Sequence, residues 1–124
     1  MPKDFRSYLD ELLEKRPKDV VVVDKEVDPR YEASAIVEKY ERKNEFPLVF
    51  FKNIKGSKMP LVMNLGATYE RLALSLGSPS VPQMVKDLAH REHNPVPVKV
   101  IPARDAPCKE VILKGDAADL DLLP

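Results

Sequence analysis

Twelve prolines punctuate this chain of 124 residues, and they limit its fold more than any other feature. Each proline fixes φ and removes a backbone donor, so regular elements must fit between them or begin on them. Here they fall mostly between segments with clear hydrophobic periodicity. The chain therefore reads as a series of short elements.

Residues 4–15 predict a helix, with Asp4 as its N-cap. Phe5, Tyr8, Leu9, Leu12 and Leu13 repeat at i, i+3, i+4, i+7 and i+8, and Pro17 ends the run. The valines Val20–Val23 in "DVVVVDKEV" are stiff at χ1 and favour a strand. Their unbroken apolar character predicts burial on both faces. Asp28 and Pro29 predict the cap and first position of a second helix, whose inner stripe is Ala33, Ile36, Val37 and Tyr40. Two further strands, "PLVFFKNI" and "PLVMNL", flank the short turn "KGSK". Gly56 supplies positive φ there, and the spacing predicts a hairpin. Phe50 and Phe51 are neighbours in a strand, so they point to opposite faces and both read as core.

Gly66 and Thr68 introduce a third helix that Gly77 terminates. Ser80 and Gln83 form a capping-box pattern for a fourth helix, with Met84, Val85, Leu88 and Ala89 turned inward. Residues 94–107 form a proline-rich connector. Residues 108–114, "CKEVILK", predict a last strand, and "GDAADLDLLP" a turn of helix. This order of elements predicts one mixed α/β (α+β) domain over residues 1–124, a small sheet with helices packed on it.

Hydrophobic residues make up 44% of the chain and charged residues 32%, as in ordinary globular proteins. Twenty basic residues balance twenty acidic ones. A nucleic-acid module carries a basic excess, so no nucleic-acid partner is expected. The single cysteine, Cys108, cannot form an internal disulfide and points to a reducing compartment. The opening residues lack a signal core, and no apolar run approaches the roughly 20 residues of a membrane span. The expectation is a cytoplasmic protein without a membrane partner.

Each candidate site has a plain structural reading. His90 and His93 share a helical face at i, i+3, but neither H-E-x-x-H nor H-x-x-E-H is present, and they read as solvated residues at a helix end. "NLGAT" places Gly66 and Thr68 at a helix start that could hold an anion. It lacks the glycine pattern of a P-loop or dinucleotide fold and reads as a capped turn. Cys108 has cations nearby in sequence but no base, so it reads as a packed or edge thiol. Asp116, Asp119 and Asp121 do not follow the calcium-loop spacing and read as turn caps. From the residues alone, no catalytic, cofactor-binding or metal residue is assigned.

Three stretches, in order, resemble the UbiD-like decarboxylases. "DFRSYLDELLEK", a hydrophobic strand and "EVDPRYEASAIVEK" are similar to the family's opening helix, strand and V-D-P-x-x-E helix start. "PLVFFKNIKGSKMPLVMNLGATYERLALSLG" is similar to its strand, N-x-K-G turn, N-L strand end and E-R-x-A-x-x-L-G helix. "PCKEVILKGDAADLDLLP" is similar to its C-x-E-V-x-x-x-G-x-x-x-D-L-x-x-L-P passage.

The resemblance implies an N-terminal α/β domain of a longer enzyme. Residues 108–124 would lead into a flavin-binding β-barrel domain outside this chain. The parent enzyme would reversibly decarboxylate aromatic or α,β-unsaturated acids. Its prenylated FMN, Mn2+, K+ and Glu-Arg-Glu set would all lie in those later parts, with no cofactor held by this domain. The domain's partners would be the rest of that enzyme. It would be inactive alone, would help to hold or gate the cleft, and would pack through Leu120, Leu122 and Leu123, an apolar patch if left uncovered. A homo-oligomer of the parent is left open. A freestanding binding or regulatory module is the alternative, and an anion binder at Gly66–Thr68 a third reading.

Overall fold

The computed structural model describes residues 4–120. The strands β1 (Val20–Val23), β2 (Leu48–Phe51) and β3 (Leu61–Met63) form one sheet in the order β1-β2-β3. β1 pairs parallel to β2, with Val20 opposite Leu48. β2 pairs antiparallel to β3, with Phe50 opposite Val62. The parallel pair needs a crossover, and helix α2 (Glu32–Glu41) supplies it. The antiparallel pair needs only the turn at Gly56, whose φ of 79° confirms the positive-φ expectation.

Alternation along β2 divides the core in two. Val49 and Phe51 face α2 and pack with Val27, Ala33, Val37 and Ile54. Leu48 and Phe50 face the other side, where Tyr8 and Leu12 of α1 (Phe5–Lys15) and Leu74 of α3 (Tyr69–Ser75) cover them. Phe50 and Phe51 therefore serve opposite faces, as strand geometry requires. α4 (Val81–His93) packs on α3 at the margin. The result is a small three-layer α/β domain, helix over sheet over helices.

Local chemistry accounts for the helix ends. Asp4 caps α1 by accepting from the Ser7 amide at 2.8 Å, and the Ser7 hydroxyl accepts from the Asp4 amide at 3.0 Å. Gly77, at φ 70°, closes α3. The Ser78 amide donates to the Ala73 carbonyl at 2.9 Å and the Gly77 amide to Leu74 at 3.0 Å, a Schellman ending.

Several expectations are corrected. α2 begins at Glu32 with Tyr31 as N-cap, not at Asp28-Pro29. The Asp28 carboxylate accepts from the Arg30 amide at 2.9 Å, so it closes a local turn before the helix starts. Residues 108–114 form no strand. A 3-10 turn spans Pro107–Lys109, and Val111 and Ile112 are exposed and join neither edge of the sheet. Val85 and Leu88 point largely outward; Met84 is the buried residue of α4, which packs chiefly on α3. Val22 of the valine run is also half exposed, because β1 lies at the edge of the sheet. The Ser80 cap is present, but Gln83 does not complete the box: its side-chain amide donates to Asp87 at 2.7 Å.

Candidate functional site

The buried polar centre of the domain is Arg71, on the first turn of α3. Thr68 caps that helix by accepting from the Arg71 amide at 3.4 Å. The cap sets the helix so that Arg71 faces the sheet with 1% of its surface exposed. Nη1 donates to the carbonyl of Phe46 at 2.6 Å and Nη2 to that of Asn64 at 2.8 Å. Phe46 leads into β2 and Asn64 leaves β3, so one guanidinium ties two strand ends to α3. Asn64 itself holds a left-handed backbone, at φ 59°. Neither Arg71 Nε nor Asn64 Nδ2 finds a partner among the described residues.

Burial pushes the Arg71 guanidinium below its usual range, opposed by Tyr8 and Asp19. The same burial pushes the Tyr8 phenol up. A guanidinium stays charged in proteins, so Arg71 is an ordering group and not a proton donor.

Two clefts meet at Arg71. One, of about 230 Å³, is lined by Arg16, Lys18, Asp19, Glu45 and Thr68 among others. There Asp19 holds Arg16 at 2.5 Å. The other, of about 270 Å³, is mostly apolar, with Phe5, Tyr8, Leu65 and Leu72 on its walls and Asp4 at its side. Neither cleft pairs a nucleophile with a base.

The residues singled out in the sequence lie elsewhere or serve packing. Gly66 has an ordinary φ, and a Cβ there would meet Leu72 Cδ2 at 3.0 Å, so the glycine admits Leu72. Thr68 caps a helix of only seven residues. His93 Nδ1 lies 2.8 Å from the Ala89 carbonyl, and Asn94 Nδ2 donates to the His90 carbonyl at 2.8 Å; both histidines are exposed and finish α4. Cys108 is exposed on its turn. Asp116 sits in the 3-10 turn Gly115–Ala117, and Asp119 is exposed beyond it. Asp121, Leu122 and Leu123 lie outside the described residues. Among the described residues, no group of three or more His, Cys, Asp or Glu is placed to hold a metal. None of their helices is long and apolar enough to cross a membrane.

Arg71 escaped the sequence reading because an arginine in an amphipathic helix reads as solvent-facing. The available signal was its position three residues before Leu74, on the stripe that packs on the sheet.

Residues 11–91 match the 3-octaprenyl-4-hydroxybenzoate carboxy-lyase N-terminal domain, UbiD_N. The chain belongs to the UbiD family. Solved UbiD-class structures share the fold closely. The UbiD-class enzyme HmfF from Pelotomaculum thermopropionicum, in complex with FMN, superposes with a TM-score of 0.75 at 31% identity, over 95% of this chain and 25% of that one. An evolved dimeric form of HmfF, in complex with prFMN, gives 0.73 at 31% identity, over 90% and 25%. Vanillic acid decarboxylase from Sedimentibacter hydroxybenzoicus, in its open form, gives 0.72 at 32% identity, over 92% and 25%. The chain thus spans about a quarter of the length of these relatives.

The UbiD_N match takes in Arg71, His90 and most of the residues of both clefts and stops before His93, Cys108 and Asp116. Among the described residues, the apolar cleft offers Arg71 as its one cation, with Asp4 also on its wall, and the basic one carries Asp19 and Glu45 among its cations.

Proposed function

We propose that this chain is the N-terminal domain of a longer UbiD-like enzyme that reversibly decarboxylates aromatic or α,β-unsaturated acids. The observation that carries the reading is the pairing of high coverage with low: 95% of this chain aligns with only 25% of HmfF. Prenylated FMN, with Mn2+ and K+, belongs to the remainder of that enzyme and supplies an electron sink as CO2 leaves. The domain's own part is mechanical. Its doubly covered sheet and the Arg71 tie give a stiff lobe that packs on the remaining domains and helps to hold or gate the cleft. Residues 94–107 connect it to them and residues 108–124 lead into a flavin-binding β-barrel. The exposed thiol of Cys108 accords with a reducing cytoplasm.

Reading the gene past Pro124 tests the assignment. An open frame encoding a flavin-binding domain supports it, and a stop codon there favours a freestanding module of the same fold. The supporting role is tested by incubating the 124-residue chain with prenylated FMN, Mn2+, K+ and a panel of aromatic acids. No CO2 above blank is expected, and release above blank would place the chemistry in this domain.

A further inference from the structure

The segment after α4 carries a pattern that the domain itself does not use. Val96, Val98 and Val100 alternate with Pro95, Pro97 and Lys99, and the three valines are 86%, 87% and 88% exposed. Residues 95–102 belong to no helix or strand, and the backbone hydrogen bonds described for residues 4–120 include none from residues 95–101. Three apolar side chains and their amides are thus left to solvent in a row.

Strand geometry gives that row a meaning. Alternate residues of an extended chain put their side chains on one face and their N–H and C=O groups on one edge. Val96, Val98 and Val100 would share an apolar face and an edge with every donor and acceptor present. The opposite edge belongs to Pro95, Pro97, Lys99 and Ile101, and two of those four have no N–H. Proline before and within the segment also keeps the backbone extended, since each fixes φ and biases the residue before it away from helix. The segment can therefore join a sheet through one side only, as an outermost strand.

We propose that residues 96–100 add as an edge strand to a sheet in the rest of the longer polypeptide, paired through Val96, Val98 and Val100. This rests on the reading of the chain as one domain of a longer enzyme. Length points to that occupant: about three quarters of the relative's chain lies outside what this chain matches, while 95% of this chain is matched. Within the domain the outer edge of β1 lies open, but it carries no such pairing with the segment. Main-chain bonds would supply the affinity and the valine face the register, as in other strand additions.

Hydrogen exchange at single-residue resolution, on the full-length polypeptide and on the 124-residue chain, tests this. In the longer polypeptide the amides of Val96, Val98 and Val100 are expected to exchange at least about 100-fold more slowly, while Lys99 and Ile101 stay fast. Val98→Pro should release Val96 and Val100, and Lys99→Pro should leave them protected. Fast exchange at all five amides in both proteins overturns the proposal, as does protection centred on Lys99 and Ile101. Equal protection in the short chain, with a dimer mass, overturns it in favour of pairing between two copies. A reading frame that stops after Pro124 removes the longer polypeptide and fells the proposed function with it; unprotected amides in a continuing frame fell this inference alone.

Discussion

Arg71 places a full charge inside the domain with no carboxylate among the described residues within hydrogen-bonding distance. Two carbonyls receive it, those of Phe46 and Asn64, and the second also accepts from the Ala67 amide at 3.4 Å. A buried acceptor stripped of its donor costs about 1–3 kcal/mol. Arg71→Ala should therefore lower the free energy of unfolding by about 1–3 kcal/mol, measured by urea denaturation. Arg71→Lys should recover only part of this, because an ammonium is a point donor and cannot span two carbonyls in a plane. If the Arg71→Lys variant proved as stable as the parent chain, the fork geometry would be unimportant. A second residue-scale device joins α3 to α4. The buried hydroxyl of Ser78 donates to Asp87 at 2.5 Å, and Gln83 donates to its other oxygen. These bonds hold the Asp87 carboxyl below its ordinary value of 3.8. A group whose folded pKa is depressed stabilises above its unfolded pKa and loses that contribution as pH falls through the folded one. Asp87→Asn should thus destabilise the chain at neutral pH and narrow its difference from the parent chain as the pH drops below about 4. Parallel melts at pH 7 and pH 3 would show the convergence.

At the scale of elements, what the sequence made legible was whatever local chemistry decides. The Asp4 cap, the Gly56 turn, the Gly77 stop and the split of Phe50 from Phe51 all follow from φ preferences, hydrogen-bonding reach and the two-residue period of a strand. Errors arose where a partner decides. Val85 and Leu88 have a helical period that fits an inner face, but among the described residues α4 packs chiefly on α3 and leaves them exposed. "CKEVILK" has strand composition, but it joins neither edge of the sheet and is left as an exposed chain. Asp28 had two uses, helix cap or turn closure, and its bond to Arg30 took the second. The site was hidden for a related reason: nothing in "TYERLALSLG" distinguishes an arginine that reaches two distant carbonyls from one that reaches water. Gly77 gives the element-scale prediction. No atom lies within 4 Å of where its Cβ would be, so crowding is irrelevant and only the backbone matters. Gly77→Ala at φ 70° should cost about 1 kcal/mol, read as a lower urea midpoint with unchanged slope. A neutral result would show that α3 can end another way.

For the whole molecule, the division lies near Asn94, where α4 ends. Before it, two clusters fill both faces of the sheet and every strand is paired. After it, the described backbone hydrogen bonds are local, each reaching three residues back at Asp105, Ala106, Lys109, Glu110, Ala117 and Ala118. The large apolar side chains there, from Val96 to Leu120, are exposed. Removing exposed residues that join no ladder changes stability little, within about 0.5 kcal/mol for ordinary surface positions. A chain ending at Asn94 should therefore unfold at the same urea concentration as the 124-residue chain, with the same slope, because the surface exposed on unfolding is nearly the same. A loss of more than about 1 kcal/mol would show that the later segment packs on the lobe and contributes to its core. The expected equality has a consequence for assembly. On the proposed edge pairing, the alternating row of Val96, Val98 and Val100 serves attachment and not the fold of the lobe. The same truncation made in the proposed longer polypeptide would sever the connection between lobe and remainder. Restoring the link with a flexible sequence of equal length in place of residues 95–101 should then leave the lobe's own unfolding unchanged while loosening its attachment, measured as faster proteolysis between the two parts.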